Sequence, residues 1–412
     1  MKKILIICPF FPYPLISGGH QAFFISIDVM RHDFDIHLLF IEDKTSKANQ
    51  QILKALWPEV KFYSFITSKR KFKNREEVLI RLGNRIRDFF IYRSKFELEF
   101  SSCMYLNRED YLDFINNIIT KNSIDIVQTE FITCLSLVAA LPKSVKTVFV
   151  HHEIRFSRHE LFLKEHNLTN SSYYKYKFNC LKCEELALLS LYDAIITLSD
   201  IDLHKLKNES IPEQKLYSSF ATIRQKNETN ELNHFNGYLT FIGPEYHQPN
   251  VIGLDWFLNN CWPTIIKKNE QLHLKIIGKW NAKKQKHWCS KYKNIEFLGF
   301  VENLYEALSG SIMIVPITIG SGIRMKILEA TMMKIPFVTT EIGVEGLPFK
   351  DSEDCFVCND AIDFANKILI LKEDFALQQQ FVMSANYKIK SLFSPEKLKE
   401  SRSFVYDNIF LT

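Results

Sequence analysis

The sequence predicts an α/β protein built from two doubly wound, parallel-sheet domains. Three observations predict it. Short apolar runs of strand length alternate with helical patterns through the first half of the chain. After a polar stretch the same alternation starts again. The chain has 412 residues and is 46% hydrophobic, which is too long for one ordinary core and supplies enough apolar material for two. Strands in alternating order with helices favour parallel pairing, with both sheet faces covered.

The first run, "KKILIICPF", reads as a buried strand. It is short, broken by proline and lacks a small-residue cleavage site, so it does not read as a secretory leader. A turn at Ser17, Gly18 and Gly19 leads to the helical "HQAFFISIDVMRH", then to the strand "FDIHLLFI" and later to "IDIVQTE", "KTVFVHH" and "DAIITLS". The polar run "RQKNETNELNHFN" follows. Beyond it come "GYLTFIG", "LDWFLNNCWPTIIKK", "LHLKIIG", "IEFLGF", "MIVPIT" and "PFVTT". The expected domains are therefore residues 1–225 and 226–390. A last helix lies in 391–412, capped by Ser394 with Pro395 at its first position, and could pack back on the first domain.

No run approaches the roughly 18–20 apolar residues of a spanning helix, so the expected location is the cytoplasm, soluble or peripheral on the inner face of the membrane. The nine cysteines are odd in number and scattered. Cys180 and Cys183 sit close together on a helical segment and read as free thiols of a reducing compartment rather than a zinc site. The net charge is +5, but it is uneven: between Lys61 and Lys95 eleven Lys or Arg face only Glu76, Glu77 and Asp88. Residues 69–95 place apolar side chains at helical spacing beside arginines. That pattern suits either a packed helix with a solvated basic face or an interfacial helix on anionic lipid. Without aromatic stacking modules it is not a nucleic-acid-binding pattern.

The densest chemistry lies in "PITIGSGIRMKILEATMMKIPFVTTEIGVEGL". A strand ends at Gly320, Ser321 and Gly322, and a helix is expected from Ile323 to Met333. Its free N–H groups and positive dipole end make an anion site. Arg324 and Lys326 occupy the first turn, where a helix by itself disfavours cations. A bound polyanion reverses that preference. Glu329 stands one turn further on, either paired with Lys326 on the surface or accepting hydrogen bonds from a ribose diol. A nucleoside diphosphate requires both features. The Gly18-Gly19 loop also joins a strand to a helix and admits close backbone approach. It lacks the spaced GxGxxG of a dinucleotide site, which counts against a nicotinamide enzyme. His151 and His152 end a strand at the expected cleft. With Glu153 they suggest a metal set, but neighbouring strand residues point to opposite faces. Asp200 and Asp202 resemble a metal-binding Asp-x-Asp, for which capping of the next helix by Ser199 is the simpler account.

Together these stretches resemble the retaining GT-B-fold glycosyltransferases of the family-four type, also called glycosyl transferases group 1. The likeness covers nearly the whole chain. It is strongest from "GYLTFIGPEYHQPNVIGLDWF" through "IEFLGFVENLYEAL" to "GSGIRMKILEATMMKIPFVTTEIGVEGL", and thinner through the Ser17-Gly18-Gly19 loop, "VFVHHEIRFSR" and "YDAIITLSDIDLHKL". The resemblance implies two Rossmann-like domains facing across a cleft. It implies transfer of a sugar from a nucleotide diphosphate to a hydroxyl of a glycan or lipid-linked acceptor, with retention and without a metal or other cofactor. It places the donor against Gly18, Gly19, Gly243, Phe300, Val301, Ser321, Gly322, Ile323 and Glu329, with the base read near Phe300 and Val301. His151 and His152 fall by the transferred sugar, and His20 and Glu153 on the acceptor side. The family often carries a glutamate where this chain has Ser321, and a basic pair after "FIG" where this chain has "PEYHQPN". Arg324 and Lys326 are expected to supply the missing positive charge. Rival expectations are a GT-B epimerase or phosphorylase-like enzyme and a noncatalytic nucleotide-sugar-binding partner. The pathway implied is bacterial surface polysaccharide biosynthesis.

Overall fold

The structure is a computed structural model that describes residues 1–15, 17–42, 46–66, 102–104, 108–222 and 232–411. The basic segment 69–95 and the expected boundary near residue 225 lie outside the described residues.

The N-terminal sheet contains β1 (Lys3–Cys8), β2 (Asp35–Glu42), β3 (Lys61–Ile66), β4 (Ile126–Glu130), β5 (Lys146–His151), β6 (Ala194–Thr197) and β7 (Leu216–Ser218). Their order is β3-β2-β1-β4-β5-β6-β7, all parallel. Strands β1, β4, β5 and β6 are buried almost end to end, as expected for strands covered on both faces. In register, Ile4 stands between Ile36 and Ile126. The helices that cover this sheet are α1 (Gly18–Met30), α2 (Ser46–Leu56), α3 (Glu109–Asn122), α4 (Arg155–Glu165), α5 (Ser172–Ser190) and α6 (Asp200–Lys207).

The second sheet repeats the plan with β8 (Tyr238–Ile242), β9 (His273–Ile277), β10 (Ile295–Gly299), β11 (Ile312–Val315), β12 (Phe337–Thr339) and β13 (Phe356–Val357), in the order β10-β9-β8-β11-β12-β13. Its helices include α7 (Gln248–Trp256), α8 (Trp262–Lys268), α9 (Ala282–Lys291), α10 (Leu304–Leu308), α11 (Met325–Met332) and α12 (Glu341–Val344). Then α13 (Ala361–Glu373), α14 (Phe375–Leu392) and α15 (Pro395–Asn408) end the chain. The fold class is α/β, two Rossmann-like sheets with helices, as the alternating pattern predicts.

The helix expected over "LDWFLNNCWPTIIKK" divides into α7, a π-helical turn at Phe257–Cys261 and α8. Pro263 accounts for the break, since it has no N–H to donate and its ring crowds the carbonyl four residues back. Ser394 caps α15 by accepting from the Lys397 N–H at 3.3 Å. That helix lies on the N-terminal sheet: Lys2 Nζ donates to the Tyr406 carbonyl at 2.7 Å, Lys399 pairs with Asp33 at 2.8 Å, and Phe34 meets the Tyr406 ring edge-on at 5.2 Å. A second C-x-x-C, Cys355 and Cys358, flanks β13 and is buried, and burial pushes both thiols up, Cys358 to about 12. Among the described residues no three His, Cys, Asp or Glu are grouped to hold a metal, and no helix is long and apolar enough to cross a membrane.

Candidate active site

In each sheet the strand order reverses at one place, between β1 and β4 and between β8 and β11. Doubly wound sheets bind ligands in the crevice at such switch points, beyond the carboxyl ends of the strands. Four loops, one after each of these strands, meet between the two domains.

From the first domain, Ser17 caps α1, its Oγ accepting from the His20 N–H at 3.3 Å and lying 2.7 Å from His20 Nδ1. His20 also stacks on Phe10 with ring centres 4.1 Å apart. A Cβ on Gly18 would stand 2.8 Å from the Cβ of Met325, the first residue of α11, and one on Gly19 would stand 3.2 Å from the Phe131 ring. The glycines therefore serve close approach. They let the N-termini of α1 and α11 face each other across the interface, bringing two positive dipole ends to one place.

From the second domain, the loop after β11 bends through Gly320 (φ +123°) and Gly322 (φ +79°). A Cβ on Gly322 would stand 2.4 Å from the main-chain oxygen of His152, so only glycine fits both the conformation and the contact. Ser321 Oγ accepts from the Ile154 N–H at 3.1 Å, and the Ser321 N–H points to Glu153 Oε1 at 3.4 Å. The Ser321 hydroxyl thus docks one domain on the other. Glu153 also accepts from Arg158 at 2.7 Å. Enclosure pushes its carboxyl up, but Arg158, His247 and Arg324 outweigh that and hold it below the usual range. It bridges the domains.

Arg324 occupies the cap position of α11, with no acidic residue in the first turn. It is 8% exposed. Its Nη1 donates to the main-chain oxygens of Ser321 and Gly322 at 2.6 and 2.9 Å, while Nε and Nη2 are buried without a hydrogen-bond partner. A guanidinium cannot shed its charge at ordinary pH, so two unsatisfied buried donors are a cost that a bound anion removes. Lys326 follows two residues on. Its Nζ donates to Asn250 Oδ1 at 2.8 Å and sits 4.9 Å from the centre of the Phe241 ring. Although the side chain keeps some contact with solvent, enclosure and the neighbouring Arg324 charge pull its ammonium down to about 7, against Glu329. Glu329 is half-buried on α11 one turn deeper, as its spacing from Lys326 predicts.

The loop after β8 contributes residues that the sequence did not single out. Asn250, 2% exposed, fills the space where Gly243 would carry a side chain, at 2.4 to 2.6 Å, and donates to the Pro244 carbonyl at 3.0 Å while holding Lys326. His247 faces Glu153, Lys326, Arg324 and Arg158. Its ring opens to solvent, yet the enclosing walls first, and the three cations after them, lower its value to about 4 against the pull of Glu153. Tyr246 reaches across toward Ser17.

The two histidines have separate fates. His151 is 1% exposed, its Nε2 lying 3.0 Å from Glu185, whose carboxylate also accepts from the Arg155 and Phe156 N–H groups. The expectation of a cleft-facing His151 is corrected: its ring is buried against Glu185, the carboxylate that caps α4. His152 points the other way, stacks on Phe131 with ring centres 3.8 Å apart, and lies 2.6 Å from Glu130 Oε2. Gly243, Phe300 and Val301 follow β8 and β10. The Phe300 ring is 65% exposed, past Gly299 at φ +69°. Ile323 lies next to Ser199 and Gly346, where a Cβ on Gly346 would stand 2.9 Å from the Ser199 Cβ. Asp200 and Asp202 belong to a cap, Ser199 Oγ accepting from the Asp202 N–H at 3.1 Å.

Residues 236–374 match the family described as Glycosyl transferases group 1. The chain superposes on TarM of S. aureus in complex with Fondaparinux, α-GlcNAc-glycerol and UDP with a TM-score of 0.70, at 12% identity over 99% of this chain and 100% of that one. The fold is GT-B. HepE of Anabaena in complex with UDP-glucose is similar with a TM-score of 0.67, 12% identical, over 100% of both chains. A 44.6 kDa protein in the cps region of Klebsiella pneumoniae is 24% identical over 417 aligned residues, covering 96% of this chain and 98% of that one. In this GT-B frame the match to group 1 covers the domain that carries Gly243, the glycine-serine-glycine loop, Arg324, Lys326 and Glu329.

Proposed function

We propose that the protein is a glycosyltransferase that moves a sugar from a nucleoside diphosphate donor to a hydroxyl of a glycan or lipid-linked acceptor, with retention at the anomeric carbon. The observation that carries the reading is Arg324. It is buried at the mouth of α11 with two donor nitrogens unpartnered, opposite the N-terminus of α1 and beside Lys326. That arrangement suits a diphosphate, and Glu329 one turn deeper suits the ribose attached to it. The group 1 match and the UDP-bound neighbours support the donor class. The cps-region relative supports a role in surface polysaccharide synthesis.

In this reading Arg324, Lys326 and the N–H groups of both helix mouths stabilise the departing diphosphate as negative charge develops on its bridging oxygen. The acceptor hydroxyl attacks from the same face, and its proton passes to the departing phosphate oxygen. Ser321, Glu153 and the His152 carbonyl hold the domains together over the reacting atoms, which excludes water. No metal or cofactor is required. Residues 69–95 are proposed to rest on anionic lipid and bring a lipid-linked acceptor to the cleft, and flotation with anionic vesicles at low salt checks this; absence of binding removes it.

The test is transfer from a panel of nucleotide sugars to glycan acceptors, with the anomeric configuration of the product read by NMR. Product with the donor's configuration supports the reading. A protein that binds nucleotide sugars but neither transfers nor slowly hydrolyses them is instead a binding partner.

A further inference from the structure

The end of β4 carries a constellation that the diphosphate site does not use. Glu130 is 2% exposed. One carboxylate oxygen accepts from Gln128 Nε2 at 2.5 Å, and the other lies 2.6 Å from His152 Nε2. Gln128 in turn accepts from the Tyr406 hydroxyl at 2.5 Å, so the buried chain begins on the C-terminal helix α15 and ends at the cleft. Phe131, the next residue, adopts φ +65° and ψ 152°, a conformation that residues with a side chain rarely take. In that conformation its ring lies parallel to the His152 imidazole, at 9° and 3.8 Å, with its edge toward Gly19 of the α1 mouth.

A buried carboxylate tied at both oxygens could simply complete a core, but three features go beyond that. The cluster sits at the switch point, where β4 neighbours β1. Phe131 departs from favourable backbone geometry to keep the imidazole flat against it. The main-chain oxygen of the same histidine rests against Gly322 of the donor loop. With the Glu130 oxygen as the acceptor, Nε2 of His152 carries the hydrogen. Nδ1 is then left without a partner among the described residues.

We propose that Glu130 is a positioning residue: held by Gln128 and Tyr406, it fixes His152 in the Nε2–H tautomer against Phe131 and so presents Nδ1 as an acceptor for a sugar hydroxyl in the cleft. The sugar part of this inference rests on the transfer reading. The tautomer part does not. The site takes a sugar hydroxyl, because Nδ1 offers a lone pair beside the Phe131 ring, against which Phe10 lies tilted with its centre 4.8 Å away.

The test is Glu130→Gln, which keeps size and the bond from Gln128 but turns an NH2 toward His152 Nε2 and so favours the opposite tautomer. Ring nitrogens of 15N-histidine protein, with His152 assigned by difference from His152→Gln, should show Nε2–H in the native protein and Nδ1–H in Glu130→Gln. Turnover should fall at least about 10-fold, while affinity for the nucleoside diphosphate product and the thermal midpoint stay close to native. Tyr406→Phe, which frees one end of the relay, should lower turnover by a smaller factor. An unchanged tautomer in Glu130→Gln overturns the proposal. So does full turnover, or a loss of turnover matched by equal losses of nucleotide affinity and thermal midpoint, which marks Glu130 as structural only. If the native protein moves no sugar from any donor, the transfer reading fails, and the tautomer measurement still decides whether Glu130 sets the ring.

Discussion

Lys326 gives the site a predicted pH signature. Its ammonium is held at about 7 in the folded protein, well below its unfolded value. Between about 7 and the unfolded value the unfolded chain therefore binds more protons, so this group's contribution makes stability rise as pH increases through that window. Donor binding acts in the opposite sense, because a diphosphate beside Nζ favours the charged form. If only the protonated lysine grips the donor, the apparent Kd grows as one plus ten to the power (pH − 7). The charged fraction falls from roughly 90% at pH 6 to about 1% at pH 9, and affinity drops by about 90-fold over that span. The groups facing Lys326 leave this window clear: His247 is held near 4, Glu153 is held below the usual carboxylate range, and Arg324 stays charged. A nucleotide sugar is the right probe, since its pyrophosphate diester does not titrate there. Calorimetric titrations at several pH values, in buffers of different ionisation heat, measure both the Kd and the proton taken up, expected to approach one per donor bound at pH 8.5. Lys326→Met should bind weakly at every pH, with no slope and no proton uptake. A flat native profile, or a slope that survives in Lys326→Met, refutes the reasoning.

Gly322→Ala places a Cβ at φ +79° and against the His152 carbonyl. It should cost about 1–3 kcal/mol of domain closure and lower turnover by about 10-fold or more, with the midpoint of the second domain in differential scanning calorimetry little changed. Glu329→Ala should weaken donor binding by about 10- to 100-fold, and it should erase any preference for a ribose over a 2′-deoxyribose donor in competition assays. Glu185→Ala removes the acceptor for the Arg155 and Phe156 N–H groups and strands His151 in the core. Urea unfolding should register a loss of about 2–4 kcal/mol, while affinity for nucleoside diphosphate should hold.

The alternation of strand and helix was legible because parallel strands buried on both faces must be apolar almost throughout, as β1 and β5 are. The loop after β11 was legible too: Arg324 and Lys326 are badly placed for an isolated helix, and the structure buries Arg324 with two unpartnered nitrogens. Ser321 and Glu153 were harder to read, since their roles come from one domain docking on the other. His151 and His152 illustrate the limit of local pattern. The alternation of a strand says that they face opposite ways, but only the positions of Glu185 and Glu130, on separate elements, decide which ring is structural. Glu130 and Phe131 went unread because nothing in "IVQTEF" marks a switch point. The strand order does, and it is a property of the whole sheet. His247 and Asn250 could have been suspected from Gly243, since a glycine opening a loop often makes room for a neighbour, and here Asn250 takes that room.

The central claim is that the facing mouths of α1 and α11 bind a nucleoside diphosphate sugar through Arg324 and Lys326. Isothermal titration of a nucleotide-sugar panel into the native protein and into the Arg324→Ala, Lys326→Ala double variant tests it most directly. The account predicts saturable binding of one donor per native chain and no measurable binding to a double variant that remains folded by circular dichroism. Equal affinity in the two proteins, or no nucleotide sugar bound by the native chain, contradicts it.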